Sequence, residues 1–239
     1  MTTQLAKYAQ TALNQIIGAG LDVDGDFGNL SNIAATNFVA NIKSQFLKKN
    51  WVFGEFLPIG IRMSDTLTDH FTDWLFMLLP NGEVFFIPFS TTPSTAAERE
   101  KSKVLTFGQT GVAILVEQQV VGGWQYCSAW WSGLPFFLQK KSVQIYRDSV
   151  PDDKINRDSP IISRADTGVN LHSWKGWLQN ILWYKNLALG RDISLSEGCQ
   201  VTEQDDWNLF LAAMNRKYMI GDFVTYSCIN ISDLKQPIV

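Results

Sequence analysis

Apolar positions recur at helical spacing over residues 5–18, where Leu5, Tyr8, Ala9, Leu13, Ile16 and Ile17 share a face and Gly18 and Gly20 end the run. Ile33, Ala34, Phe38, Val39, Ile42, Phe46 and Leu47 repeat that period, with Ser31 or Asn32 as the expected N-cap. From Trp51 the period changes. Leu75–Leu79 and Val84–Phe89 flank Pro80-Asn81-Gly82-Glu83, and Asn-Gly between two apolar runs predicts a hairpin. Residues 91–103 read as a polar loop or short helix. Val112–Gln119 reads as a strand, Gly122-Gly123 as a turn, and Trp124–Trp131 and Val143–Arg147 as further strands. Val169–Leu171 is short and extended, with His172 at its end. Trp174, Trp177, Leu178, Ile181, Leu182 and Leu187 then follow a helical period that Gly190 would stop. Trp207, Phe210, Leu211 and Met214 mark another helix, and Phe223–Ile231 a final strand. The pattern predicts an α+β chain, with a small helical module over 1–50 and a mainly β unit over 51–239.

Composition narrows the function classes. The 239 residues are 46% hydrophobic and 18% charged, as in a folded protein. A net charge of −3 without a basic stripe argues against a nucleic-acid partner. No apolar stretch reaches the ~18–20 residues of a membrane span. The opening MTTQLAKYAQ lacks a basic region followed by an apolar core. The expectation is therefore a protein made in the cytoplasm without a signal peptide, which reaches any outside target by release or delivery. Nine tryptophans predict a large aromatic core, or a groove for sugar or peptide.

The polar punctuation is read conservatively. Asp22, Asp24 and Asp26 alternate in a glycine-rich turn, but Ile33 stands where a calcium loop needs its bidentate Glu, so the turn needs no metal. The acidic run from Asp148 to Asp158 reads as a solvated turn. Three cysteines cannot all pair, and neither CxxC nor a metal-type Cys/His spacing occurs, so no metal and no cofactor are expected. Cys127 and Cys228 lie in apolar runs and read as buried small hydrophobes.

That leaves Cys199, in Ser196-Glu197-Gly198-Cys199, and His172, one of two histidines. A thiol nucleophile needs a neighbouring base, backbone N–H groups aimed at the developing oxyanion, and a group that orients the base. Gly198 allows close backbone approach. On composition alone, a buried Gly-Cys turn and a satisfied core histidine remain open as the alternative.

The motifs carry two family resemblances. Asn170-Leu171-His172-Ser173 with Ser196-Glu197-Gly198-Cys199-Gln200-Val201 resembles the active-site signature of the L,D-transpeptidase (YkuD-type) family, nearest to a phage and bacterial subgroup ending in S-x-G-C-Q. Tyr146-Arg147-Asp148 and Gly60-Ile61-Arg62 add to the likeness, which spans about residues 55–230. Residues 5–47, through Val23, Asp24, Gly25, Phe27, Gly28, Ala34 and Phe38, resemble a helical peptidoglycan-binding module.

The first resemblance implies Cys199 as nucleophile and His172 as base. It also implies that the Ser173 carbonyl orients His172, and that the Gly198 and Cys199 N–H groups face the oxyanion. Arg62, Asn170, Trp174, Ser196, Glu197 and Gln200 are the candidate substrate contacts. Glu197 stands where the family carries a second histidine, and Gln200 and Val201 replace the residues that usually follow the cysteine.

The expected function is a cysteine-dependent enzyme acting on peptidoglycan stem peptides through a thioester. A hydrolytic, endolysin- or effector-like role in cell-wall lysis is favoured. The alternatives are an L,D-transpeptidase that forms cross-links, and a non-enzymatic peptidoglycan-binding part of a phage tail or injection device.

Overall fold

In a computed structural model, the structure describes residues 1–68, 70–95, 97–98, 105–106, 109–129, 133–165, 167–173 and 198–235. The expected Trp174–Leu187 helix, and Ser196 and Glu197, lie outside the described residues.

Helix α1, Thr3–Ile17, starts where the Thr2 side chain accepts from the Leu5 N–H and ends at Gly18 in the left-handed conformation. Helix α2, Asn29–Lys48, begins earlier than its polar pattern suggested. Gly28 is its N-cap and makes no side-chain cap bond. Asn32, an expected cap, sits inside the helix and donates back to the Gly28 carbonyl at 3.0 Å. The Asp-rich turn between the helices is held by Gln10 of α1. Its Nε2 donates to Asp24 Oδ1 at 2.8 Å and to the Asp26 carbonyl at 3.0 Å, and its Oε1 accepts from the Gly25 N–H at 2.9 Å. Among the described residues no cluster of three metal-ligating side chains occurs.

The chain is α+β and mostly sheet. Strands β1 (Ile59–Arg62), β2 (Asp73–Leu78), β3 (Val84–Phe89), β7 (Gln118–Cys127), β8 (Phe136–Gln139), β11 (Leu171–Ser173), β12 (Gln200–Thr202) and β13 (Phe223–Asn230) form an eight-stranded sheet. Its order is β12-β11-β8-β7-β13-β1-β2-β3. Past the end of β3, Ser90 pairs with Val201 of β12 through reciprocal backbone bonds of 2.8 and 3.1 Å, which nearly closes the sheet into a barrel. The predicted hairpin joins β2 to β3, with Asn81 and Gly82 at positive φ in its turn.

A second sheet, β10-β9-β6, is built from Ile161–Arg164, Val143–Asp148 and Val112–Leu115. A short β4–β5 pair, Leu105–Thr106 with Gln109–Thr110, lies before it. Helix α3, Gln204–Met214, follows β12, and a short α4, Ile231–Leu234, follows β13. No helix among the described residues is long and apolar enough to cross a membrane.

Strand alternation sorts the core into two layers. Leu75, Met77, Phe85, Ile87 and Tyr226 pack on one face with Trp207, Phe210 and Met214 of α3. Trp74, Phe76, Val84, Phe86 and Ile229 point the other way, onto Leu13, Ile16, Phe38, Ile42 and Phe46 of α1 and α2. Side chains of α1 and α2 therefore share a core with this face of the sheet. The Trp74 indole N–H donates to Gln15 across that layer at 2.8 Å.

Two strand expectations change. The break in Val112–Gln119 comes at residues 116–117, between β6 and β7. Gly122-Gly123 is no turn but lies inside β7, opposite a register shift between Val224 and Tyr226 of β13. Gly122 has φ +58, and a Cβ on Gly123 would come within 2.6 Å of Val120, so the pair marks a bulge in a long strand.

The acidic run after β9 is partly internal. Asp148 is fully buried and accepts from the Val150 and Asn156 N–H groups at 3.1 and 2.8 Å. Glu98, also fully buried, accepts from the Asp153 N–H at 3.0 Å through one oxygen, while its other oxygen has no partner among the described residues. Burial, with Asp148, Asp153 and Asp152 nearby, pushes its carboxyl up to about 7. A raised acid stabilises the fold below its unfolded value, near 4.5, and loses that contribution as pH rises through 7. Glu98→Gln is thus expected to raise Tm by roughly 2–4 °C at pH 8 and leave it unchanged at pH 4.5, as read by thermal unfolding at the two pH values.

Candidate functional site

β11 and β12 are adjacent and parallel, with Leu171 opposite Gln200, His172 opposite Val201 and Ser173 opposite Thr202. Cys199 immediately precedes β12, and the Gln200 N–H donates to the Asn170 carbonyl at 2.8 Å, so the pairing extends to its threshold. Strand parity places Cys199 with Val201 and His172 on one face. The two candidates are diagonal neighbours, one strand spacing of ~4.8 Å across and two residues, ~6.6 Å, along. Both are half-buried. His172 lies at the middle of β11, one residue further into pairing than its position after Val169–Leu171 suggested.

His172 Nδ1 lies 2.7 Å from the carbonyl oxygen of Ser173. A carbonyl only accepts, so this contact places the proton on Nδ1 and leaves the Nε2 lone pair as the basic site. The Ser173 hydroxyl plays no part in this. It is buried without a hydrogen-bond partner among the described residues. Burial pushes the His172 imidazole below its ordinary value, and the bond to Ser173 offsets part of that. At neutral pH the ring is therefore uncharged.

Cys199 Sγ donates to the Gly168 carbonyl at 2.9 Å. This bond directs the Cys199 thiol toward the loop that precedes β11. The Gly168 loop is itself fixed. Trp124 Nε1 donates to the Val169 carbonyl at 2.8 Å, and Gln139 Oε1 accepts from the Val169 N–H at 3.1 Å and the Thr167 hydroxyl at 2.7 Å. Gly198 has φ +152, and a Cβ there would lie 2.8 Å from both Cβ and O of Ala113 on β6. The second sheet therefore backs directly onto the cysteine turn.

Three expected substrate contacts sit beneath this face instead of on it. Asn170 is buried, and its Oδ1 accepts from the Gln139 N–H at 2.9 Å. Gln200 is fully buried and bonded to Thr91 and Tyr226. Arg62 is 1% exposed, and it donates to Thr91 and to the Leu115 carbonyl. Gln200 and Arg62 sit at strand positions that parity and sheet closure turn inward, whereas Asn170, just before β11, is covered through its bond to Gln139. Trp174, Ser196 and Glu197 lie outside the described residues. Of the residues in the Tyr146-Arg147-Asp148 motif, Asp148 caps its own loop and Arg147 Nη1 donates to the Gly111 carbonyl at 3.2 Å.

Gly168, Ala113, Thr91 and Tyr226 take part in or support the site without having been singled out from the sequence. Gly168 acts through its carbonyl and Ala113 through its small size, which leave no side-chain signature. Cys228 is fully buried, and burial pushes its thiol up to about 11, which leaves it a packing residue.

Comparison with family models and with curated proteins finds no match for this chain.

Proposed function

We propose that this protein is a cysteine-dependent acyl-transfer enzyme acting on the stem peptides of peptidoglycan, with Cys199 as nucleophile and His172 as base. The observation that carries the proposal is the His172 imidazole. Its Nδ1 proton is held by the Ser173 carbonyl while its other nitrogen stays basic, on the strand face that Cys199 shares. The peptide substrate class rests on the sequence resemblance.

In the proposed reaction Nε2 takes the Cys199 proton as Sγ attacks an amide carbonyl. The Gly198 and Cys199 N–H groups stabilise the oxyanion. Collapse breaks the C–N bond, and the imidazolium returns its proton to the departing amine, leaving a thioester. Water then releases a shortened stem, or an amine forms a new cross-link. The wall-lytic outcome, with water as acceptor, is the favoured one.

Two measurements test this. Intact-protein mass spectrometry during incubation with soluble muropeptides is expected to show an adduct of the acyl fragment on Cys199, and product analysis to show shortened stems. New cross-links in place of shortened stems would assign transpeptidation. Absence of both adduct and product from folded protein would sink the proposal and favour a binding role. The rate should also reflect the lowered His172. The base works unprotonated, so a depressed value keeps it competent to lower pH, and the acid limb of kcat/KM should lie below about 6.5. An acid limb at or above that value would exclude His172 as the base.

A further inference from the structure

We infer that Gln200 is a positioning residue, which holds Cys199 on the His172 face through a buried chain of bonds running from Arg62 and Asp73 to Tyr226. Its catalytic meaning rests on the proposed function. The coupling it predicts between Cys199 and His172 can be measured without a substrate.

Gln200 follows Cys199 directly, so the two side chains leave the strand on opposite faces. The amide is bonded at both ends. Nε2 donates to the Thr91 carbonyl at 2.9 Å, and Oε1 accepts from the Tyr226 hydroxyl at 2.6 Å. The same Thr91 carbonyl accepts from Arg62 Nη2 at 3.1 Å. The Thr91 hydroxyl accepts from Arg62 Nε at 3.2 Å and donates to Asp73 Oδ2 at 2.6 Å, so it bridges a buried guanidinium and a buried carboxyl. Asp73 also accepts from the Thr91 and Met63 N–H groups, each at 2.8 Å.

The chain reaches both walls of the cysteine turn. Arg62 Nη2 donates to the Leu115 carbonyl at 2.8 Å, on the strand whose Ala113 abuts Gly198. Next to Thr91, Ser90 makes the backbone bridge to Val201. Gly60 completes the fit, since a Cβ there would stand 2.0 Å from the Tyr226 hydroxyl. A buried polar network of this kind is costly to half-satisfy. A one-residue slip of β12 would turn Cys199 inward and Gln200 outward. It would also strip the Thr91 carbonyl of one donor and leave the Tyr226 hydroxyl unpaired, so the Gln200 bonds select the register that exposes the thiol to His172.

The test is a double-mutant cycle on alkylation of Cys199 by iodoacetamide at neutral pH, quantified by peptide mass spectrometry in a Cys127→Ala background. With Gln200 in place, His172→Ala is expected to slow alkylation at least about tenfold. In the Gln200→Met background the same replacement should change the rate less than about twofold. The cycle is repeated with Tyr226→Phe, which removes only one donor and keeps the buried ring, and which decides the matter alone if Gln200→Met does not fold. An equal His172 factor in native and altered backgrounds would overturn the positioning role while leaving the dyad intact. No His172 effect with Gln200 in place would instead overturn the dyad, and the proposed function with it.

Discussion

Cys199→Ala is expected to abolish adduct and product formation on muropeptides, with a loss of at least about 10³-fold in kcat. The replacement deletes one sulfur and its bond to the Gly168 carbonyl. The backbone bonds of Gln200 to Asn170 and of Val201 to Ser90 remain, so β12 keeps its register. The loss therefore reports chemistry and not folding, and thermal unfolding of the variant should match that of the parent. Cys199→Ser should recover little, because an imidazole lowered by burial is a weak base for a hydroxyl. Cys127→Ala is the internal control and should retain full activity, since among the described residues Cys127 Sγ donates to the carbonyl of its near neighbour Gln125 at 3.5 Å, away from β11 and β12. Retained turnover in Cys199→Ala, measured by muropeptide mass spectrometry, would remove the cysteine from the mechanism.

The sequence pattern singles out His172 and Cys199, the two side chains of the candidate site, but not what lies beneath them. His172 and Cys199 are rare residue types in short motifs, and local spacing suffices to bring them forward. Arg62, Asn170 and Gln200 are equally polar and equally close to those motifs. Whether each faces solvent or core depends on strand parity and on how the sheet closes, and both are set by partners distant in sequence: Val201 pairs with Ser90, and Arg62 reaches Thr91 and Leu115. The same distinction runs through the fold. Helices α1 and α2 and the β2–β3 hairpin were legible because their periods and turn chemistry are local. Gly122-Gly123 was not, because a glycine pair suits both a turn and a bulge, and only the pairing of β7 with β13 decides between them. Likewise a helix–turn–helix pattern over residues 5–47 does not reveal that Phe38 and Phe46 have Phe76, Phe86 and Ile229 as their core.

Gly198→Ala should be the most damaging single-methyl change near the site, costing about 2–4 kcal/mol of stability. Two penalties combine. The backbone at φ +152 is one that L-residues rarely adopt, and the added Cβ would lie 2.8 Å from both Ala113 Cβ and Ala113 O. The carbonyl cannot swing aside freely, because β6 is paired along its length with β9. Gly168→Ala separates the two terms. Gly168 has φ +74 with nothing among the described residues within 4 Å of a Cβ, so it should lose only the left-handed penalty of about 1–2 kcal/mol and should keep its carbonyl toward Cys199. Denaturant midpoints measured at constant m would rank the two. Relief of the Gly198→Ala clash must come from the cysteine turn moving off β6. That movement carries the Cys199 N–H and thiol with it, so the fraction of Gly198→Ala that remains folded should also show slowed alkylation at Cys199. Stability loss with an unchanged alkylation rate would mean that the second sheet supports the fold but does not set the position of Cys199.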